Sequence, residues 1–361
     1  MNQMKNQLLL FYLFPLQMSF KKTILFSLLI VFGCQLVKAQ TEEFEKLISQ
    51  GRAQQAKGDF NEAITSFKKA VTINSESAIA NYELASSYYS NKDFEKARVF
   101  SQKVINQKQR YLLAAYLLNG NSLNDLGKLE EANQVFKKAA KKYTHHYLLF
   151  YNLGINYYKL KNFDQAIKYT ERAIFLKPLH ASSHLLLAAL HEIKKNQLKS
   201  ALAYYFFLML EPDTDRSLNA LEELKSLLKV LMSNEGGLSS STDPFKMTKY
   251  LISKVDLNKT RKKGPKKGQK KNEMELFVAE TKLLFRTLGN VNKKTPFSYI
   301  WKNSYVNLFY RLSRSKHLKA CCYFIHQMAP NDITKAWNVE RKNKKATTSF
   351  QYWMNKQLSR F

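Results

Sequence analysis

Five alanines recur along the first half of the chain at an almost constant interval. They are Ala63, Ala97, Ala132, Ala166 and Ala201, and the intervals between them are 34, 35, 34 and 35 residues. A fixed period near 34 residues is typical of stacked helical units, because each unit can bury its apolar face only against its neighbours. The period therefore predicts an all-α, helix-hairpin solenoid over this part of the chain.

The residues around the alanines also repeat. Three positions before each alanine stands an apolar residue: Phe60, Phe94, Leu129, Phe163 and Leu198. Four positions after it stands a bulky residue in three units: Phe67, Phe136 and Tyr205. Ser101 and Thr170 depart from this pattern, and a terminating proline follows only the last two units, at Pro178 and Pro212. Residues at these spacings share one helix face, so a small-large stripe is predicted on which a neighbouring helix packs closely.

This pattern resembles the tetratricopeptide repeat, and the resemblance covers about half of the chain. It implies five repeat units over residues 43–213, whose first helices line a concave surface that binds a protein or a peptide. By this resemblance nine residues face the groove: Arg52, Gln55, Tyr82, Ser86, Tyr89, Asn121, Asn124, Tyr151 and Tyr158.

Tyrosine and asparagine contact peptides through aromatic area and hydrogen bonds at a low entropy cost. The lysine-rich clamp with which some repeat proteins hold an acidic peptide is not visible among the nine residues. The groove composition therefore favours an extended or helical peptide without strong acidic character. The alternative is that the four tyrosines only fill the inside of the superhelix.

An export signal precedes the repeats. From Met18 the chain has two lysines, an apolar run of about fifteen residues and the small-residue end Val37-Lys38-Ala39, which is the pattern of a secretory signal peptide. We therefore expect a signal peptide over residues 1–39, cleaved near Ala39, and a protein located in the periplasm or envelope. Three alternatives stay open: a translation start at Met18, an uncleaved anchor, and a lipoprotein signal at Cys34.

Positive charge is concentrated after the repeats. The formal net charge is +30, and the last 141 residues hold 29 basic and 10 acidic side chains. The densest run has eight basic residues: Lys259, Arg261, Lys262, Lys263, Lys266, Lys267, Lys270 and Lys271. Such a run repels itself and predicts an exposed loop. This loop is either simply solvated or attracts an anionic membrane surface or envelope polymer, and export would place nucleic acid out of its reach.

The remaining residues predict further helices. We expect a capping helix over residues 214–237, a linker that includes the basic loop over 238–271, and a helical C-terminal region over 272–361, with a last helix from Ile333. Its aromatic residues recur at helical spacings, which favours a core. The region resembles the C-terminal extension of exported bacterial tetratricopeptide-repeat proteins, through these matching residues: Tyr299-Ile300-Trp301, Tyr323-Phe324-Ile325, Trp337 and Trp353.

A search for catalytic motifs finds none of the common phosphate-binding, nucleophile or metalloprotease patterns. His180, His184 and His191 are the best metal candidates, although these positions also suit helix packing. Cys321 and Cys322 are neighbours in an apolar context, which favours buried free thiols. The sequence therefore predicts no catalytic residues, no metal and no cofactor.

Three functions remain. The first is a non-enzymatic interaction scaffold of the bacterial envelope that uses the groove. The second is an adaptor that binds an anionic membrane or polymer through the basic C-terminal half. The third is an enzyme with a site in the aromatic C-terminal region, which the lack of a catalytic motif disfavours.

Overall fold

The computed structural model describes residues 20–108, 110–233, 242–255, 272–329 and 332–359. Over these ranges the secondary structure consists of α-helices and one π-helix without any β-strand, which confirms the all-α prediction. Contacts divide the chain into two compact units, residues 1–132 and residues 133–361. Within the same ranges, no helix combines the length and the apolar character that a membrane crossing requires.

Helix pairs follow one another through the repeat region. Unit 1 contains α1 (Phe20–Lys57), α2 (Phe60–Ile73), α3 (Ala78–Ser90), α4 (Phe94–Gln107) and α5 (Leu112–Asp125). Helix α6 (Leu129–Lys142) holds the last residues of unit 1 and the first of unit 2. Unit 2 continues with α7 (Tyr147–Lys159), α8 (Phe163–Leu176), α9 (Ala181–Ile193) and α10 (Gln197–Leu210).

The recurrent alanines are points of close helix packing. All five, from Ala63 to Ala201, are completely buried. The same demand for a small side chain exists at Gly51 on α1, where an added Cβ atom would lie 2.6 Å from the ring of Phe67 on α2. Phe67 is itself completely buried. Small residues thus admit the large ring of the paired helix, and the stripe read from the sequence is a packing surface.

The turn between the two helices of each pair also repeats with the period of the chain. One residue in each turn has a positive φ angle: Gly58, Lys92, Gly127, Lys161 and Lys195. In each case the next residue donates its backbone N–H to the carbonyl five positions earlier, as in Asp93 to Tyr88 at 2.9 Å. This Schellman turn satisfies carbonyls at the helix end and reverses the chain. Three of the five turns use lysine, which adopts this conformation less readily than glycine.

In unit 2 the helix α10 is buried on every side. Its residues from Leu198 to Met209, apart from the intervening Lys199, are all buried. One core cluster joins α10 to the helices that follow it: α11 (Asp215–Met232), α12 (Pro244–Ser253), α13 (Glu273–Lys294), α14 (Asn307–Arg314), α15 (Leu318–Phe324) and α17 (Arg341–Leu358). The C-terminal region therefore shares its core with the last repeat.

Aromatic rings make up the centre of this core. Tyr205 on α10 contacts the rings of Phe285 and Phe309, at centroid distances of 4.9 and 6.0 Å. Its hydroxyl lies 2.6 Å from the hydroxyl of Thr281 on α13. Phe206, the next residue, stacks on His184 at 4.2 Å. Because neighbouring residues of a helix point about 100° apart, α10 is held by α9 on one side and by α13 and α14 on another.

A π-helix at Trp301–Val306 leads into α14 and contacts α9. The Tyr305 hydroxyl lies 2.8 Å from Nδ1 of His184, whose Nε2 lies 2.7 Å from the Pro178 carbonyl oxygen. Only a donor can face a carbonyl, so Nε2 carries the proton and Tyr305 donates to Nδ1. Burial lowers the pKa of His184 to about 4, which keeps this imidazole neutral. The hydrogen bond fixes the π-helix on the last complete repeat.

The structure corrects two predicted boundaries. Residues 244–253, which we assigned to a linker, form helix α12, because Asp243 accepts from the Phe245 N–H and Pro244 occupies the first turn. The last helix, predicted from Ile333, is divided into α16 (Asp332–Val339) and α17. Glu340 has an extended conformation between them, with a ψ angle of 126°. Cys321 and Cys322 are buried and free, as the sequence predicts.

The burial of α10 gives a stability prediction. Replacing Phe206 by alanine should lower the free energy of unfolding by about 3–5 kcal/mol, since a completely buried ring leaves a cavity. Urea denaturation followed by tryptophan fluorescence, to which Trp301 in this core contributes, would measure the loss. Tyr352→Ala is the control, because the Tyr352 side chain is 74% exposed and its loss should cost less than about 0.5 kcal/mol. Similar effects from the two substitutions would contradict the packing described above.

Candidate protein-binding surface

The first helices of unit 1, α1, α3 and α5, contact one another in order along the chain. They carry seven of the nine predicted groove residues, which we call the N-terminal patch: Arg52, Gln55, Tyr82, Ser86, Tyr89, Asn121 and Asn124. Arg52 is exposed and the other six residues are half-buried. All seven side chains are therefore at the protein surface or close to it, on helices that touch.

Two side chains of α1 make polar contacts with α3. The Arg52 guanidinium holds the carboxylate of Glu83, with Nη2 and Nε at 2.6 and 2.8 Å from Oε1. Gln55 donates its side-chain N–H to the buried hydroxyl of Ser87 at 2.7 Å. The hydrogen bond to Glu83 raises the pKa of Arg52. Because Glu83 is nearly buried beside it, the charge of Arg52 is offset within the patch.

Two further contacts join α3 to the start and the end of α5. The rings of Tyr82 and Tyr111 stack with centroids 5.0 Å apart. The Tyr89 hydroxyl donates to Oδ2 of Asp125 over 2.6 Å. Burial raises the pKa of Tyr82, and burial together with the Asp125 hydrogen bond raises that of Tyr89. Both phenols therefore stay protonated and remain hydrogen-bond donors at neutral pH.

The N-terminal patch is thus a set of aromatic faces and polar groups that neighbouring helices hold in position. Its one exposed cation, Arg52, is paired with Glu83, and Asp125 beside Tyr89 adds one negative charge. Such a surface suits a peptide of low net charge, which can stack on the rings and bond to the polar groups. Nothing in the patch has the arrangement of a nucleophile with its base.

The other two predicted groove residues, Tyr151 and Tyr158, lie on α7 in unit 2, and we call them the C-terminal patch. Tyr151 is half-buried and packs edge-on against the ring of His180, with centroids 4.8 Å apart. Burial raises the pKa of Tyr151 and lowers that of His180. Tyr158 is 39% exposed and its ring lies 6.3 Å from that of Phe163. Both tyrosines are therefore partly exposed, and each ring lies beside another aromatic ring.

The three candidate metal-binding histidines do not form a site. His184 is completely buried and uses both ring nitrogens in the hydrogen bonds to Tyr305 and Pro178. His191 is 2% exposed, packs against the Trp301 ring and has a pKa lowered to about 3 by burial. In the part of the chain that the structure describes, no three His, Cys, Asp or Glu side chains are grouped to hold a metal ion.

Some of the surface residues were not anticipated from the sequence. Glu83, Ser87 and Asp125 orient the predicted residues, yet an isolated acid or serine carries no signal of its partner 31 to 36 positions away. Tyr111 reaches Tyr82 through a left-handed backbone, with φ at +65°, which is uncommon for tyrosine. The predicted site for an anionic partner, Lys259 to Lys271, lies outside the described residues.

Sequence comparison identifies the repeats. Family models described as "TPR repeat" and "Tetratricopeptide repeat" match residues 51–92, 82–104 and 147–178. The chain therefore contains tetratricopeptide repeats in these segments. Proteins of this kind generally bind other proteins or peptides. No curated protein sequence is a significant match to the chain.

Solved structures resemble the chain over about half its length. One is PilF of Pseudomonas aeruginosa, with 21% identity, 54% of this chain and 92% of that chain covered, and a TM-score of 0.43. Another is YrrB, titled a TPR protein with an unusual peptide-binding site, with 17% identity, coverages of 52% and 98%, and a TM-score of 0.42. A thermophilic TPR protein of Thermus thermophilus has 21% identity, coverages of 52% and 99%, and a TM-score of 0.41. At these values the likenesses carry no functional argument.

Proposed function

We propose that this protein is a non-enzymatic scaffold of the bacterial cell envelope, which binds a peptide or protein segment on the first helices of its repeats. The proposal is supported chiefly by the N-terminal patch, where contacts between neighbouring helices hold Arg52, Tyr82 and Tyr89 in place. A preorganised surface loses little side-chain entropy when a partner binds, so more of the contact energy is available for affinity.

The pairing of Arg52 with Glu83 supports a partner of low net charge. A strongly acidic peptide would bring its carboxylates close to Glu83 and Asp125, whereas a neutral one would not. Tyrosine rings supply contact area, and tyrosine is among the residues that most often dominate binding at protein interfaces. The C-terminal patch offers the same chemistry on α7 through Tyr151 and Tyr158.

Loss of the aromatic faces should weaken partner capture. We expect the double variant Tyr82→Ala/Tyr89→Ala, immobilised as the full chain, to retain at least tenfold less of a specific partner from an envelope extract. Each lost hot-spot contact costs about 1–2 kcal/mol, and about 1.4 kcal/mol corresponds to tenfold in affinity. Quantitative mass spectrometry of the eluates would measure the change, with circular dichroism as a check on folding.

Tyr352→Ala is the matched control, because it removes a tyrosine that is 74% exposed and lies on α17. It should capture the same proteins as the wild type. Retention of every partner by a folded Tyr82→Ala/Tyr89→Ala variant would refute binding at the N-terminal patch.

The envelope location rests on the predicted signal peptide. The cleavage expected after Ala39 falls within α1 and would leave residues 40–57 as the first helix of the first repeat. We predict that amino-terminal sequencing of the native protein finds Gln40 as the first residue. A lipid-modified Cys34 would change the mode of export, whereas an intact start at Met1 or Met18 would contradict cleavage.

A further inference from the structure

A cavity of about 570 Å³ lies in unit 2, between α7, α8 and the residues that lead into the π-helix. Four of its lining residues are aromatic or aliphatic: Phe150, Tyr169, Tyr299 and Ile300. Two more, Lys168 and Arg172, are cationic. No lining residue belongs to the N-terminal or C-terminal patch, so this aromatic cavity is a separate surface feature.

Large apolar side chains are exposed at the mouth of the aromatic cavity. Tyr299 is 70% exposed and Phe175 is 48% exposed, and their ring centroids lie 6.1 Å apart. Grouped exposed rings of this kind often mark an interaction site, because water contact with apolar surface is unfavourable. The wall that carries Tyr299 is fixed, since Trp301, two residues further on, donates its indole N–H to Oε1 of Glu171 at 3.1 Å.

The cation at the edge of the aromatic cavity is held in place. The Arg172 guanidinium lies over the rings of Phe150 and Phe175, at 5.6 and 5.1 Å from their centroids. Its Nη2 donates to the Thr144 carbonyl oxygen at 3.3 Å, in the turn that follows α6. A guanidinium has five N–H donors in a fixed fork, which suits a carboxylate. Exposed Lys141 and Lys142, at the end of α6, add positive charge just before that turn.

Glu171 is the acidic residue of the lining, and its environment limits what can bind. Burial raises the pKa of Glu171, while the Trp301 hydrogen bond and the nearby charge of Lys199 act in the opposite direction. A ligand with many negative charges would place several of them near this carboxylate. A ligand with one carboxylate at the rim, beside Arg172 and Lys168, would not.

We propose that the aromatic cavity binds a short segment of a partner protein that carries an aromatic side chain next to an acidic residue. The aromatic ring enters the cavity against Phe150, Tyr169 and Tyr299. The acidic side chain pairs with Arg172 and Lys168. Such a segment contacts both the apolar lining and the positive rim. A neutral apolar peptide would contact only the lining, and a polyanion only the rim.

The test uses the full chain and a fluorescein-labelled peptide with one phenylalanine next to one aspartate. Fluorescence anisotropy should show saturable binding. A peptide with alanine in place of phenylalanine, and one with asparagine in place of the aspartate, should each bind at least tenfold more weakly. Equal binding of all three peptides, or no binding of the first, would overturn the proposal.

Variants then locate the site. Tyr299→Ser removes an exposed ring and Arg172→Gln removes the cation, and each should weaken binding of the phenylalanine peptide at least tenfold. Tyr352→Ser is the control for Tyr299→Ser, because it also removes a highly exposed tyrosine, and it should leave binding unchanged. The thermal unfolding midpoint of each variant shows whether the fold is retained. Unchanged binding by a folded Tyr299→Ser variant would overturn the proposal.

Two further arms separate other sources of binding. The double variant Tyr82→Ala/Tyr89→Ala should bind the probe peptide as the wild type does. The proposal for the aromatic cavity is thereby tested independently of the proposal for the N-terminal patch. Any binding of a labelled oligothymidine, or of vesicles with anionic lipid, should be the same for the wild type and for Tyr299→Ser. Polyanion binding that Tyr299→Ser abolishes, with a steep dependence on salt, would assign the cavity to a polyanion and overturn the peptide proposal.

Discussion

The complete burial of α10 is the constraint on which the rest of unit 2 depends. In a repeat array the second helix of the last unit would leave one face in water. Here the run Tyr204 to Met209, which points to all sides of α10, is entirely buried, because α9 and the C-terminal helices together enclose it. A helix that is apolar all round must be enclosed. The repeats and the C-terminal region are therefore one folding unit beyond residue 133.

This shared core also places the surfaces that we assign to binding. Tyr305 packs on Phe206 and bonds to His184, so the π-helix is fixed against α9 and α10. The residues just before the π-helix then form one wall of the aromatic cavity. In unit 1, contacts between the first helices of the repeats position the surface side chains, and acidic partners hold Arg52 and Tyr89. Packing inside each unit thus determines which side chains are presented outside it.

The sequence allowed much of the repeat architecture to be predicted, because the period of the alanines reports helix packing directly. It did not allow the partners of the patch residues to be predicted, since Glu83 and Asp125 are oriented by tertiary contacts. The left-handed turns at Lys92, Lys161 and Lys195 could not be predicted, because lysine is not a typical residue for a positive φ angle. The linker predicted over 238–271 did not include helix α12, although proline after aspartate also starts helices.

Native-state hydrogen exchange on the wild-type chain tests most directly whether α10 unites the last repeat with the C-terminal region. Amides in α10, α13 and α14 share one core, so they should exchange through a common opening with the same free energy and the same dependence on denaturant. We predict that the curves of their exchange free energy against denaturant concentration merge. Opening of α13 and α14 at clearly lower denaturant, with α10 still protected, would contradict it.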